Sequence, residues 1–103
     1  MPEDLSHLPV VVKLPAALVR LFPEAPRQVE IPASASISAS VATVGDAIDA
    51  LDRRWPGMRD RICDSTPRIR RHMNVFVAGE RVTLETRLTP GAEVVVLTAI
   101  SGG

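Results

Sequence analysis

Thr43-Val44-Gly45-Asp46-Ala47-Ile48-Asp49-Ala50-Leu51-Asp52-Arg53-Arg54-Trp55 is the stretch on which the reading of this chain turns. Val44, Ala47, Ile48, Leu51 and Trp55 recur at helical spacing and lay one apolar stripe along the segment, as suits a helix that covers a sheet. Thr43 is placed to cap it, and Asp46, three residues on, sits near the positive end of the helix dipole. Asp49 and Arg53 lie four apart on the outer face. Pro56-Gly57 ends the helix, and Met58 to Ile62 makes another turn or two before Asp64 to Pro67 breaks the pattern.

The flanks of this helix read as strands. Val10-Val11-Val12 is a short β-branched run that suits a buried strand, with Pro9 at its start, where a missing N–H is tolerated. Pro15 to Phe22 is apolar but closed by Pro23 and Pro26, which predicts a turn or a short helical piece. Gln28-Val29-Glu30-Ile31 alternates polar and apolar, so the amino-terminal part is expected to be a hairpin with a broad connection. Pro32 to Ala42, where serine alternates with small apolar residues, reads as a flexible insert.

Beyond the helix, Ile69 to Val77 is expected to begin the second half of the sheet, with Met73, Val75 and Val77 on one face and Asn74 and Phe76 on the other. Ala78-Gly79-Glu80 is a turn, Arg81 to Leu84 a short returning strand, and Pro90-Gly91 a second turn into a last strand, Glu93 to Ile100. Two strands, a helix, then more strands predict an α+β domain with one main helix packed across one face of the sheet.

Composition narrows the function. A chain of 103 residues is expected to form one domain, 1–103, with a loose start at 1–7 and a tail at 101–103. Twelve basic residues balance twelve acidic ones, so no global field attracts nucleic acid or an anionic membrane. Partners are then chosen by shape. Cys63 is the single cysteine, which excludes an internal disulfide framework and fits a reducing compartment. Met1-Pro2-Glu3-Asp4 lacks the basic start and apolar run of a signal peptide, so a cytoplasmic location is expected. Eleven of the basic residues are arginine, and Lys13 carries the only side-chain amine.

The last strand runs almost directly into Ser101-Gly102-Gly103. Glycine accepts nearly any backbone dihedral and has no Cβ, so two in a row make a tail thin enough to thread a narrow channel on another protein. The other reading is a frayed terminus.

Taken in order, Thr43-Val44-Gly45-Asp46-Ala47, then Asn74-Val75-Phe76-Val77-Ala78-Gly79-Glu80, then Leu88-Thr89-Pro90-Gly91-Ala92-Glu93-Val94, and the closing Gly102-Gly103, the chain resembles the ubiquitin-like sulfur carriers. That family (MoaD/ThiS-like) includes the small subunit of molybdopterin synthase and the carriers of thiamine and cysteine biosynthesis. It differs in a longer Ala/Ser insert and in lacking a proline pair before the terminus. The resemblance implies a β-grasp fold with a mixed sheet. It also implies a carrier cycle in which an E1-like activating enzyme of the ThiF/MoeB type uses ATP to adenylate the carboxylate of Gly103. A sulfur donor enzyme then leaves a thiocarboxylate at Gly103, which a sulfur-accepting synthase consumes. On this resemblance Gly102 and Ser101 thread the partner's channel, Leu97 and Ile100 contact the partner, and the chain is a cosubstrate that binds no permanent cofactor. The longer helical segment through Pro56-Gly57-Met58-Arg59 leans toward the cysteine-type carriers. Two alternatives stay open: a ubiquitin-like modifier conjugated to lysines through Gly103, and a binding module in which the diglycine is incidental.

Other residues point to little chemistry of their own. Cys63 has no motif around it and reads as buried and inert, and His7, His72 and Cys63 lack metal-ligand spacing. Arg68, Arg70, Arg71 and His72 form the one basic cluster, read as a solvated strand face or a docking patch for an acidic partner. With so few aromatic residues, stacking on nucleic-acid bases is not expected. Glu80, Glu85 and Glu93 suggest no paired-carboxylate chemistry, and no phosphate-cradling glycine loop is visible, which fits a chain whose partner binds ATP.

Overall fold

The computed structural model describes residues 8–31, 42–66 and 68–98. The expected loose start at 1–7, nearly all of the Ala/Ser insert, and Ile100, Ser101, Gly102 and Gly103 lie outside the described residues. In chain order the elements are β1 (Val10–Lys13), α1 (Ala16–Leu21), β2 (Gln28–Ile31), α2 (Val44–Arg54), α3 (Met58–Ile62), β3 (Met73–Val77), β4 (Glu80–Arg81) and β5 (Glu93–Thr98).

The strands form one sheet in the order β2-β1-β5-β3-β4. β1 and β5 run parallel, while the other neighbouring pairs are antiparallel, so the sheet is mixed, as a β-grasp requires. The alternation of each strand decides what it buries. Val10 and Val12 from β1, Val29 and Ile31 from β2, Met73 and Val75 from β3, and Val94 and Val96 from β5 all turn to one face. α2 lies across that face with Val44, Ala47, Ile48, Ala50 and Leu51 buried, and Trp55 packs partly buried at its end. Among the described residues no polar or charged residue is buried. Core cohesion is therefore apolar burial, worth about 25 cal/mol per Å² removed from water.

The start of α2 is held by a capping box: Thr43 Oγ1 accepts from the Asp46 N–H at 3.2 Å, and Asp46 Oδ2 accepts from the Thr43 and Ala42 N–H groups, each at 3.0 Å. Gly45 follows because its N–H donates to the Leu84 carbonyl at 2.9 Å, and a Cβ there would stand 3.3 Å from that same oxygen. At the other end Asp52 Oδ1 accepts from the Gly57 and Arg59 N–H groups, both at 3.0 Å, and so caps α3 from the preceding helix.

Several expectations are corrected. Asp49, placed on the outer face four residues from Arg53, pairs with Arg59 of α3, which the Asp52 cap brings alongside α2. The second half of the sheet begins at Met73: Ile69 makes only an isolated bridge to Cys63. The basic cluster at 68–72 therefore precedes the strand and is no strand face. The returning strand shrinks from Arg81–Leu84 to Glu80–Arg81, since the Leu84 and Thr86 carbonyls accept from Gly45 and Val44 at the start of α2 and draw the chain off the sheet.

Candidate functional site

β5 is the middle strand of the sheet, paired on both sides, and it carries the chain toward the terminal glycines. Val11, Val12 and Lys13 align with Glu93, Val94 and Val95 on one side, while all five residues of β3 align with Val94 to Thr98 on the other. The last described residue, Thr98, is matched to Met73. A tail leaving this point starts from backbone held by β3, since β1 pairs only with Glu93 to Val95.

Strand parity then sorts the side chains of β5. Val94 and Val96 enter the core, so Glu93, Val95 and Leu97 emerge on the opposite face, which none of the described helices covers. Leu97 stands 45% exposed, one of three large apolar residues so exposed among those described. Across the ladder Leu97 is matched to Asn74, and Val95 to Phe76. On the other flank Val95 is matched to Lys13, whose Nζ lies 3.4 Å from Glu93 Oε1. Both partners of that pair are exposed, so it adds little stability and serves instead as a polar rim. Phe76, Val95 and Leu97 share a shallow depression of about 390 Å³. An apolar centre with a charged rim is the common anatomy of a protein-docking surface.

Of the residues expected from sequence to meet a partner, Leu97 is on this face, while Ile100, Ser101, Gly102 and Gly103 lie outside the described residues. Phe76 and Val95 were not singled out for partner contact. Counting back two from Leu97 gives Val95, and the opposite parity already assigned to Phe76 puts it beside Val95 once the register is known.

The remaining chemistry-bearing side chains are dispersed. Cys63 is 2% exposed, and burial pushes its thiol above the ordinary range, which suppresses the reactive thiolate. His72 is exposed in the turn before β3. Asp64 is held below the usual carboxylate range, first by the Thr66 hydroxyl and then by the Thr66 and Arg68 N–H groups, and it organises the loop between α3 and β3. Among the described residues no group of three or more His, Cys, Asp or Glu side chains could hold a metal ion, and no helix is long and apolar enough to cross a membrane.

Comparison with known proteins agrees with this geometry. Small archaeal modifier protein 1 of Haloferax volcanii is 36% identical over 62 residues, 60% of this chain and 71% of that protein. Its crystal structure superposes with a TM-score of 0.71 at 29% identity, covering 92% of this chain and 99% of the other. Sulfur carrier protein CysO of Mycobacterium tuberculosis is 35% identical over 74 residues, 66% of this chain and 80% of that protein. A crystal structure of the Amycolatopsis orientalis BexX/CysO complex contains a chain that superposes with a TM-score of 0.74 at 28% identity, covering 91% and 99%. These relatives share the mixed β-grasp sheet and are small carriers or modifiers rather than catalysts. The model of the ThiS family matches residues 19–103, which is most of the chain and extends through the terminal diglycine, and the chain belongs to that family.

Proposed function

We propose that this chain is a sulfur carrier charged at Gly103. An E1-like activating enzyme of the ThiF/MoeB type joins the Gly103 carboxylate to the α-phosphate of ATP and releases pyrophosphate. Sulfide from a sulfur donor enzyme displaces AMP and leaves a thiocarboxylate. A sulfur-accepting synthase draws the sulfur into cysteine, a cofactor or another sulfur metabolite, and the tail returns as a carboxylate. The chemistry needs the first step because a carboxylate does not react with sulfide until its oxygen has become a good leaving group. The thiocarboxylate is then ionised at neutral pH and nucleophilic, as thiolates are.

The observation that carries this reading is the family match running to Gly103. The open face around Leu97 supports it by offering a docking surface on the strand that leads to the tail. On this reading Leu97 and Ile100 seat the partner, Ser101 and Gly102 pass through its channel, and the carrier contributes no catalytic side chain.

The test is the intact mass of the protein after incubation with an activating enzyme, ATP and sulfide. A gain equal to exchange of one oxygen for sulfur, localised to the terminal peptide and absent when Gly103 is deleted, supports the carrier. A second reading is favoured by the archaeal relative, which is named a modifier protein: Gly103 is joined to lysines of other proteins. It predicts higher-mass conjugates in cell extracts that vanish on deletion of Gly103, without a stable thiocarboxylate.

A further inference from the structure

On the far edge of the sheet from β2, a slot of about 360 Å³ separates the segment 68–75 from the segment 81–85. Arg68, Arg70, Arg71 and Arg81 line it, with Glu85 as the only carboxylate among the lining residues. In a chain with no net charge this is a strong local excess of positive charge. The two ion pairs between described residues, Lys13 with Glu93 and Arg59 with Asp49, use none of these arginines. Arg70 is partly committed, since its Nε donates to the Asp60 carbonyl at 2.6 Å. Arg68, Arg71 and Arg81 have no carboxylate partner among the described residues.

The slot is also an interrupted sheet edge. β4 pairs with only Phe76 and Val77, and beyond it a single bond, from the Val82 N–H to the Val75 carbonyl at 2.9 Å, still links the two segments. In the first half of β3 the Met73 N–H is given to the Arg70 carbonyl at 2.9 Å, and the Met73 carbonyl and Val75 N–H are left on the outer edge facing the slot instead of a strand. Both walls are held in place. The Arg70 N–H donates to the Ile62 carbonyl at 2.8 Å and Asp64 fixes the Arg68 N–H at 2.9 Å, while the Leu84 carbonyl is tied to Gly45 at 2.9 Å. The floor, with Met73, Val75 and Leu84, is apolar.

We infer that this slot docks an extended, carboxylate-bearing segment of a partner protein, which adds to the free edge of β3 and sets its acidic side chains against Arg68, Arg71 and Arg81. An unpaired strand edge supplies main-chain hydrogen bonds to an incoming strand, and an arginine cluster selects acidic side chains on it. The absence of any aromatic residue from the lining argues against a nucleic-acid strand, which would be held by stacking. The slot borders the open face, because Asn74 and Met73 of its lining are matched to Leu97 and Thr98 across the ladder.

The test is an amide chemical-shift titration of the full-length, nitrogen-15-labelled protein with a blocked hexapeptide in which glutamate or aspartate alternates with valine. Its counterpart with glutamine and asparagine, and inorganic phosphate, are titrated in parallel. Saturable shifts confined to 68–75 and 81–85 with the acidic peptide alone are expected. Binding should weaken about fivefold for each arginine replaced in R68Q and R71Q, as for exposed ion pairs near their upper strength. Amide spectra of the variants show that they remain folded. Equal binding of the neutral peptide, the same shifts with phosphate alone, shifts centred on Leu97, or no shifts at millimolar peptide would each overturn the inference. Deleting Gly102 and Gly103 leaves the expected shifts unchanged, so failure here is distinguishable from failure of the sulfur-carrier reading.

Discussion

Val96 and Leu97 are neighbours on one strand, yet they are expected to fail in opposite ways when cut back to alanine. Val96 is 1% exposed under α2. Its removal takes two methyl groups from a packed core at about 0.8 kcal/mol each and leaves a void, so Val96→Ala should lower unfolding free energy by about 2 kcal/mol. Leu97 is 45% exposed on the open face. Full burial of a leucine is worth about 1.5–3 kcal/mol, and roughly half of that remains to be gained when a partner covers this one. Leu97→Ala should therefore shift stability by less than about 0.5 kcal/mol, as surface substitutions do. It should weaken binding of the activating enzyme by about 1 kcal/mol, close to fivefold in Kd. Urea denaturation followed by circular dichroism reads the first quantity and calorimetric titration with the activating enzyme reads the second. If Leu97→Ala destabilises the fold as much as Val96→Ala, the parity of β5 is wrong. If it leaves binding untouched while Gly103 deletion abolishes transfer, the open face is not where the partner sits.

Other outcomes follow from local geometry. Asp46→Ala removes the acceptor for the Thr43 and Ala42 N–H groups at the start of α2 and should cost about 1–2 kcal/mol in urea denaturation. Ala78 holds φ at 53° in the two-residue turn between β3 and β4, so Ala78→Gly should raise stability by about 0.5–1 kcal/mol, seen as a higher Tm. The Cys63 thiol has a raised pKa in the folded state, so the folded chain keeps a proton that the unfolded chain gives up. The stability this confers is complete below the unfolded thiol's pKa, about 8.5, and is lost as pH rises toward the folded value. Denaturation curves at several alkaline pH values should therefore show a decline that flattens in Cys63→Ala. The chain has no tyrosine to add a second alkaline titration. In the native protein the same thiol should react with a disulfide reagent only as fast as the core opens.

How far the sequence could be read depended on whether each partner lay nearby in the chain. The cap of α2 was legible because Thr43 and Asp46 are three residues apart and satisfy one another. The stripe on α2 was legible because its spacing is a property of the helix alone. Asp49 was not, since Arg59 reaches it only after Asp52 has capped α3 and turned the chain. Arg81-Val82-Thr83-Leu84 alternates like a strand, and nothing within those four residues says that the Val44 and Gly45 N–H groups will claim the chain just beyond. The site follows the same division. Leu97 was named for partner contact on the family resemblance and stands exposed, whereas the company of Phe76 and Val95 needed the pairing of β3 with β5, a contact between distant segments that no local pattern encodes.

On the proposed carrier reading, the central place of β5 lets the terminus serve as a reagent without loosening the fold. Work done on a tail is transmitted along the strand from which it leaves, and an edge strand is held from one side throughout. Here Thr98 is held by Met73 on one side, and further back Glu93, Val94 and Val95 are held additionally by β1. Peeling β5 would break both ladders and expose Val94 and Val96, so local opening at this strand approaches the cost of global unfolding. On that same reading, drawing the tail into a partner's channel is a local event, and the face around Leu97 on the same strand keeps its geometry while the proposed chemistry proceeds beyond it.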